Sequence, residues 1–419
     1  MEILEGARIS WRNIREHKLR STLTTLGVII GVAAVITFVT LGASLQQDII
    51  QTVAGGNAAT MYVTAQSPGE SQVPSLGGGG QVVFTQYDVD QIYQLDGVEL
   101  AVPESGIAAS SMSHNNSSVG RQWITVSSPG YFRVRNVTFV DGRPFRSNSR
   151  EVVLNEPATG MFGDNVTVGD NVSFTRAANG EVLNATVVGI VEPQDSGGVL
   201  GIEQGPEPRV YAPTDPYYAR TAQSPNVRAR QLVYGRILVM ADSPSQVDAV
   251  QGRVYNYLGE RSDAQQLKSQ NYNFQVTTQD QIVSQITQLT DTFTAYITGI
   301  AVISLIVGSI GIANIMLVSV TERTREIGIM KAVGAQNRDV LQLFLVEAVM
   351  LGVLGSFIGA LVGLLGGYLG AETIGLPLAF EPIWFAAAIV VGVIVGVFAG
   401  LYPAWDAAHT DPIDALRYE

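Results

Sequence analysis

Four stretches of this chain carry no charged residue, and each is long enough to cross a bilayer. Ser21–Gln47 holds 27 residues between consecutive charges and Thr292–Thr321 holds 30. Ala348–Ala371 and Pro382–Trp405 hold 24 each. A hydrocarbon core needs about 20 apolar residues as helix, and helices buried in soluble proteins rarely run so far. Four transmembrane helices follow. A cleaved signal peptide is the alternative for the first, because Arg8, Arg12, Arg15, Lys18 and Arg20 form a basic run ahead of it. Signal h-regions are about 7–15 residues long. This one is longer and no Ala-x-Ala site follows it, which favours an uncleaved anchor.

Lysines and arginines near helix ends set orientation. Five precede the first helix, and Arg323, Arg325, Lys331 and Arg338 lie between the second and third. The short loop around Gly375-Leu-Pro377 has none. Both termini and the 320–339 loop are therefore expected in the cytoplasm of this multi-pass protein, with residues 46–291 outside. That outer segment carries 15 basic and 24 acidic residues, so most of the chain's net charge of −12 resides there. An acidic surface argues against nucleic acid as a partner. The chain has no Cys, hence no disulfides, and an outer segment of this size buries an adequate core without them.

The expected fold class is an α-helical membrane protein with four transmembrane helices plus a large extracytoplasmic α+β domain. Residues 1–20 read as a cytoplasmic amphipathic helix at the membrane surface or a plain juxtamembrane anchor. The first transmembrane helix covers 21–45 and continues outward to about 54. A split α/β subdomain is assembled from 55–104 and 231–278, around a β-rich insertion over 105–230. Stalk and second transmembrane helix cover 279–319, a cytoplasmic loop 320–338, and the third helix 339–370. A short outer loop over 371–382, the fourth helix over 383–405 and a cytoplasmic tail over 406–419 complete the chain.

Local signals support this division. Thr85 is placed to cap a helix running to about Leu95, and Val98–Val102 and Leu232–Met240 read as strands. Ser243-Pro244 opens a helix with Val247, Val250, Val254 and Leu258 on one face. Asn171–Arg176 and Glu181–Val191 alternate around Asn179-Gly180, a strong hairpin signal. The stripes Leu41, Leu45, Ile49, Val53 and Ile282, Ile286, Leu289, Phe293 flank the outer segment and suit a helical stalk. Six Asn-x-Ser/Thr sites fall in the insertion. Adjacent Asn115 and Asn116 exclude one another, leaving Asn116, Asn136, Asn165, Asn171 and Asn184 as glycosylation candidates on an exported module.

Enzymatic constellations are missing. His17, His114 and His409 lie in separate regions, so no His cluster arises, and no Gly-Lys-Ser/Thr phosphate loop occurs. The expectation is no catalytic residue, no metal and no cofactor on this chain. Gly355, Gly359, Gly363 and Gly367 recur every fourth residue in the third helix, as do Gly392, Gly396 and Gly400 in the fourth. Small residues at that spacing let backbones approach closely in lipid, either within the chain or at a subunit interface. Glu347 is the one acid inside an apolar span. It is close enough to the cytoplasmic end to snorkel or bond a neighbouring helix, and no second group completes a proton relay.

The segment Thr321-Glu-Arg-Thr-Arg-Glu-Ile-Gly-Ile-Met-Lys-Ala-Val-Gly-Ala335 reads as a short charged helix stopped at Gly334. A solvated positive-inside loop would not need its apolar edge of Ile327, Ile329, Met330 and Val333, which suits a groove on a partner.

These motifs carry a family resemblance. Together with Asn13-Ile-Arg-Glu-His-Lys-Leu-Arg-Ser-Thr-Leu-Thr-Thr-Leu-Gly-Val-Ile-Ile-Gly31, Asp141-Gly-Arg-Pro-Phe145, Gly311-Ile-Ala-Asn-Ile-Met-Leu-Val-Ser-Val-Thr-Glu-Arg-Thr-Arg-Glu-Ile-Gly328, Gly400-Leu-Tyr-Pro-Ala404 and Asp411-Pro-Ile-Asp-Ala-Leu416, the chain resembles the MacB/FtsX-type ABC permeases over nearly its whole length. The resemblance implies a permease homodimer whose two-part outer domain moves when ATP is hydrolysed, driving transport of a peptide, lipoprotein or drug-like substrate by mechanotransmission. It implies a coupling helix, with Glu322, Arg323, Arg325, Glu326, Ile327, Gly328, Met330, Lys331 and Gly334 as its contact residues. Glu322, Arg323, Arg325 and Glu326 would form the polar rim, and Ile327 and Met330 the buried anchor. Because this sequence begins at the membrane segment, the ATPase, with its ATP and Mg, is expected on a separate chain. An FtsX-like signalling subunit that activates an exported cell-wall hydrolase is the alternative within the family. A membrane-anchored receptor or adhesin is the alternative outside it, and leaves the docking loop unexplained.

Overall fold

The computed structural model describes residues 18–54, 58–67, 80–163, 165–193, 207–411 and 415. The amphipathic helix expected over 1–20 and the Gly/Ser-rich loop after Ser67 lie almost wholly outside them.

Residues 1–47 and 288–419 make up one unit. Its long helices are Lys18–Ala54, Gln279–Glu322, Asn337–Thr373 and Pro382–His409, called here the first to fourth spans, and all four are long and apolar enough to cross a membrane. The second holds 44 residues, about 66 Å at 1.5 Å per residue, roughly twice a hydrocarbon core. Both it and the first span therefore continue well beyond lipid depth.

Small residues set the spacing of these helices. A Cβ at Gly308 would lie 2.9 Å from the Val28 nitrogen, and one at Gly27 2.7 Å from Gly308 Cα, so second and first spans approach closely here. A Cβ at Gly355 would lie 3.2 Å from Val28 Cβ, one at Gly359 2.8 Å from the Ile29 carbonyl, and one at Gly363 2.7 Å from the Ala33 carbonyl. Gly367 faces Thr40 in the same way at 2.8 Å. The third-span stripe thus lies against the first span, on its backbone at Gly359 and Gly363 and on its side chains at Gly355 and Gly367, and Thr37 Oγ1 donates across this seam to the Gly363 carbonyl at 3.0 Å. On its other side the third span receives the fourth. Gly396 abuts Val349 Cα and the Ala348 carbonyl, Gly400 abuts Ala348, and Gly392 abuts Ser356 and the Gly352 carbonyl.

Residues 48–287 form the second unit. The strand Thr60–Gln66 runs antiparallel between Arg236–Ala241 and Asn273–Thr278, so both ends of the segment meet in one sheet. Arg236–Ala241 then pairs with the first half of Val98–His114, a strand of 17 residues. The second half of that strand pairs with Gln122–Ser127 and Asn171–Arg176. From Gln122–Ser127 the sheet continues through Val210–Pro213, Glu151–Asn155, Val182–Val191 and Phe139–Gly142. The expected boundary between residues 104 and 105 therefore falls inside one strand. Among the described residues, the two halves share a single 11-stranded sheet.

One expected strand divides. Arg230–Tyr234 joins a separate three-stranded sheet with Thr221–Gln223 and Phe84–Thr85, whereas Arg236–Ala241 belongs to the main one. Gly235 lies between them and donates its N–H to Ser105 Oγ at 3.0 Å, so the chain turns there without a side chain to place. The hairpin around Gly180 closes through Arg176 N to the Glu181 carbonyl at 2.8 Å, with Gly180 at φ +71°.

The α/β part is tied together by a buried acid. Thr85 caps the helix Gln86–Tyr93 in a capping box with Asp88. Asp88 also accepts from Tyr257 Oη at 2.9 Å and from the backbone nitrogens of Asp263 and Ala264 at 2.9 and 3.1 Å. Helices from opposite ends of the segment are thereby joined through one carboxylate. Burial pushes the Asp88 carboxyl above its ordinary range in spite of those donors.

The Asp141–Phe145 motif is structural. Gly142 has φ +78°, and a Cβ there would strike the Val188 carbonyl. Arg143 then donates two hydrogen bonds to Glu151, at 2.7 and 3.0 Å, while Phe145 is buried in the aromatic cluster with Phe132. The guanidinium and the Arg146 N–H hold the Glu151 carboxyl down at about 2. A depressed carboxylate stabilises the fold above its unfolded value of 4.5 and loses that contribution as pH falls towards 2. Glu151→Gln should therefore lower the apparent melting temperature at pH 7, with the gap to the native chain closing below about pH 3. A melting series over pH 2–7 reads this directly, and an equal gap at both ends would refute it.

Candidate coupling site

The turn between the second and third spans is built by four local devices. The second span ends at Glu322, where Arg323 leaves helical geometry at φ −106°, ψ 13°. A second helix, Thr324–Ala332, follows at once. Gly334 then ends it at φ +111°, with Ala335 N donating to the Met330 carbonyl at 3.0 Å in a Schellman-type closure. Gln336 and Asp339 form a capping box that starts the third span.

This short helix has two faces, which divide the sequence-predicted residues. Ile327 is wholly buried, inside a cluster with Met316, Val320, Val340, Phe344 and Ala404. Gly328 is buried beside it, and Met330 packs against the same cluster. Lys331 Nζ donates to the Ala408 and Thr410 carbonyls at 2.7 and 2.9 Å, so it caps the end of the fourth span. Arg323 pairs with Glu347 at 3.7 Å, fastening the start of the helix to the third span. Glu347 is thus the buried half of an ion pair. Removing either partner would leave an uncompensated charge there.

Ile327 and Met330 are therefore not a free anchor for a partner: they hold the helix to its own unit. The apolar side chains left outside are Ile329, 49% exposed, and Val333, 85% exposed. They lie four residues apart on one helix face. Glu322, Arg325, Glu326 and Gly334 are exposed around them. Periodicity carried the signal: Met316, Val320 and Ile327 continue one inward stripe at spacings of four and seven, which leaves 329 and 333 on the other side.

On the outer unit, Asn116, Asn136, Asn165, Asn171 and Asn184 are all solvent-exposed. Asn171 Oδ1 accepts from Thr186 Oγ1 at 2.9 Å.

Two family models match the chain: a MacB-like periplasmic core domain over residues 21–257 and an FtsX-like permease C-terminal domain over residues 298–412. The macrolide export ATP-binding/permease protein MacB of Acinetobacter baylyi is 32% identical over 424 residues, covering 99% of this chain and 60% of that protein. An uncharacterized ABC transporter permease, YknZ of Bacillus subtilis, is 28% identical over 430 residues, covering the whole of both. The MacB protein of Paracoccus denitrificans is 32% identical, over 99% of this chain and 59% of its own length. The chain thus spans about three-fifths of its MacB relatives. With four membrane helices, a large α/β outer unit and both domain models in order, the chain belongs to the MacB/FtsX-type ABC transporter permease family.

Proposed function

We propose that this chain is the permease half of an ATP-driven machine whose ATPase, binding ATP and Mg, is a separate subunit that docks on the helix Thr324–Ala332. The observation that carries the reading is the outward pair Ile329 and Val333, ringed by Glu322, Arg325 and Glu326 on a helix otherwise clamped to its own unit. Exposed apolar groups of this kind mark interaction sites, and the surrounding charges set register and orientation more than affinity. The clamp is what makes docking useful. Force on the helix passes through Ile327, Lys331 and the Arg323–Glu347 pair to the second, third and fourth spans. The second span continues without a break to Gln279, which supports mechanical transmission to the outer unit rather than passage of cargo through the helices. Co-expression with a candidate ABC ATPase tests this: co-purification and stimulated ATP hydrolysis are expected, and an ATPase that neither binds nor responds would refute it.

The working form is a homodimer in this reading. Leu289, Phe293, Tyr296, Ile300, Ile303, Val307 and Ile310 follow a strict four-three spacing along the second span, each at least 49% exposed. Such a heptad face fits a second copy of the same helix. The transported substrate is a peptide, lipoprotein or drug-like compound; "macrolide export" belongs to the MacB relatives' name.

The termini and the docking helix face the cytoplasm, and residues 46–291 face outward, from the Lys/Arg asymmetry. A cysteine at position 165, in a chain with none of its own, should react with a membrane-impermeant maleimide on intact cells. Reaction only after lysis would invert the topology.

A further inference from the structure

We propose that the inserted part of the outer unit is N-glycosylated, at the turn positions Asn116, Asn136 and Asn165 and at Asn184 on an open sheet face. The inference rests on the outward orientation of residues 46–291 proposed above. Distribution is the first observation. Ser and Thr make up 56 of the 419 residues, so composition alone puts one of them two places after roughly one Asn in seven. Of the nine Asn between residues 105 and 192, six have one there; of the eight elsewhere in the chain, none has.

Placement is the second. Strand alternation puts a polar residue at every second position of a half-buried strand, and that alone would account for Asn171 and Asn184. It does not account for the other three. Asn116 lies in the two-residue turn between Val98–His114 and the strand Ser117–Val119. Asn136 follows the helix Tyr131–Val134 in a left-handed conformation, φ +50°. Asn165 stands between the turn Gly160–Phe162 and the strand Asn171–Arg176. At all three, both the Asn and the hydroxyl residue two places on (Ser118, Thr138 and Thr167) are exposed. A bulky polar chain attached there displaces nothing from the core.

The sheet face at Asn184 is the third. Ser113, Ser173 and Asn184 form one row across three strands, while Met112, Val172, Phe174 and Ala185 are buried on the opposite side. Ser113 Oγ and Ser173 Oγ are 2.8 Å apart, and Ser111 Oγ donates to Thr175 Oγ1 at 3.3 Å. Hydroxyls so paired need no protein cover, and Asn184, exposed at the end of the row, is placed to lay a hydrophilic glycan along them. Asn171 pairs directly with Thr186 of the Asn184 sequon. Chains rooted on strands about 4.8 Å apart would crowd, so this patch holds one glycan. The donor is a lipid-phosphate-linked glycan and the transferase a separate enzyme. Asn Nδ2 bonds to the sugar C1 and loses one proton, while the C1–O bond breaks and the phosphate leaves with its electron pair. The hydroxyl two places on belongs to the recognised acceptor. These sites are independent of ATPase docking.

The test uses the full chain purified from the membranes of its own cells, with its peptides read by mass spectrometry before and after chemical deglycosylation with trifluoromethanesulfonic acid. Sugar masses are expected at Asn116, Asn136, Asn165 and Asn184, and should vanish on deglycosylation. Asn148 and Asn179, exposed but outside any sequon, should carry none. Ser118→Ala and Thr138→Val, at exposed positions, should each remove one glycan and raise gel mobility by one step, with the Asn retained and the melting temperature little changed. All four sites unmodified would overturn the proposal, as would modification that survives loss of the hydroxyl. The cysteine at position 165 reports orientation separately. Unmodified sites on a chain that labels from outside therefore refute the glycan and leave the topology standing.

Discussion

Ile329→Asp with Val333→Asp should lower capture of the partner ATPase by tenfold or more while the permease stays folded. Each side chain is apolar and open to solvent, so replacing it costs the permease little. In the docked state each would be buried, which is worth about 1.5–3 kcal/mol per side chain, and about 1.4 kcal/mol is a factor of ten in affinity. The companion substitution Ile327→Asp, two residues away, should behave in the opposite manner. That side chain is wholly enclosed by the cluster of Val320, Val340 and Phe344, and a charge there would deplete the folded protein itself. Quantitative co-purification of tagged ATPase, alongside size-exclusion profiles of each permease, separates the two. Retention of the ATPase by the double variant, with its hydrolysis still stimulated, would show the turn to be only a topology signal.

Gly359→Leu with Gly363→Leu should strongly destabilise the membrane unit. The obstructing atoms are the Ile29 and Ala33 carbonyls of the first span, at 2.8 and 2.7 Å from the added Cβ positions. Backbone cannot rotate away as a side chain end can, so the first span would have to translate. Overpacking typically costs about 1–3 kcal/mol per site, and the pair should lower the apparent melting temperature by roughly 5–15 °C or abolish folded yield. Gly299→Leu serves as the comparison, since nothing lies within 4 Å of its Cβ position. Equal melting temperatures for the two variants would overturn the close-packed seam.

The membrane architecture was legible because lipid imposes one simple rule, that a span must be apolar and about 20 residues long. Charge-free stretches therefore located all four spans without any knowledge of packing. Caps and turns were also readable, since Thr85, Gly180 and Gly334 act through their own backbone neighbourhood. Partition of a helix between two faces was harder. The run Ile327-Gly-Ile-Met330 is apolar throughout, and only the distant partners Val340, Phe344 and Ala404 decide which side turns inward. Lys331 read as a topology charge because its acceptors lie 77 and 79 residues away. The continuity of one strand through residue 104 was hidden for a related reason. Val98–His114 spends its two halves on different neighbours, and nothing local in its sequence announces the exchange.

The strand Thr60–Gln66 has a consequence for how the protein is made. Its two neighbours pair Met61 with Val239 and with Thr278, so each closure spans well over 150 residues of intervening chain. Contacts so far apart in sequence delay folding, because loop entropy is lost before any pairing compensates it. The segment Met61-Tyr-Val-Thr64 is the first outer strand to emerge on the far side of the bilayer and cannot be sheltered on either edge until residues 236–278 have followed. During that interval it is an apolar strand with open edges, the kind that nucleates aggregation. Folding of the outer unit therefore contains a waiting time of one early strand for its late partners.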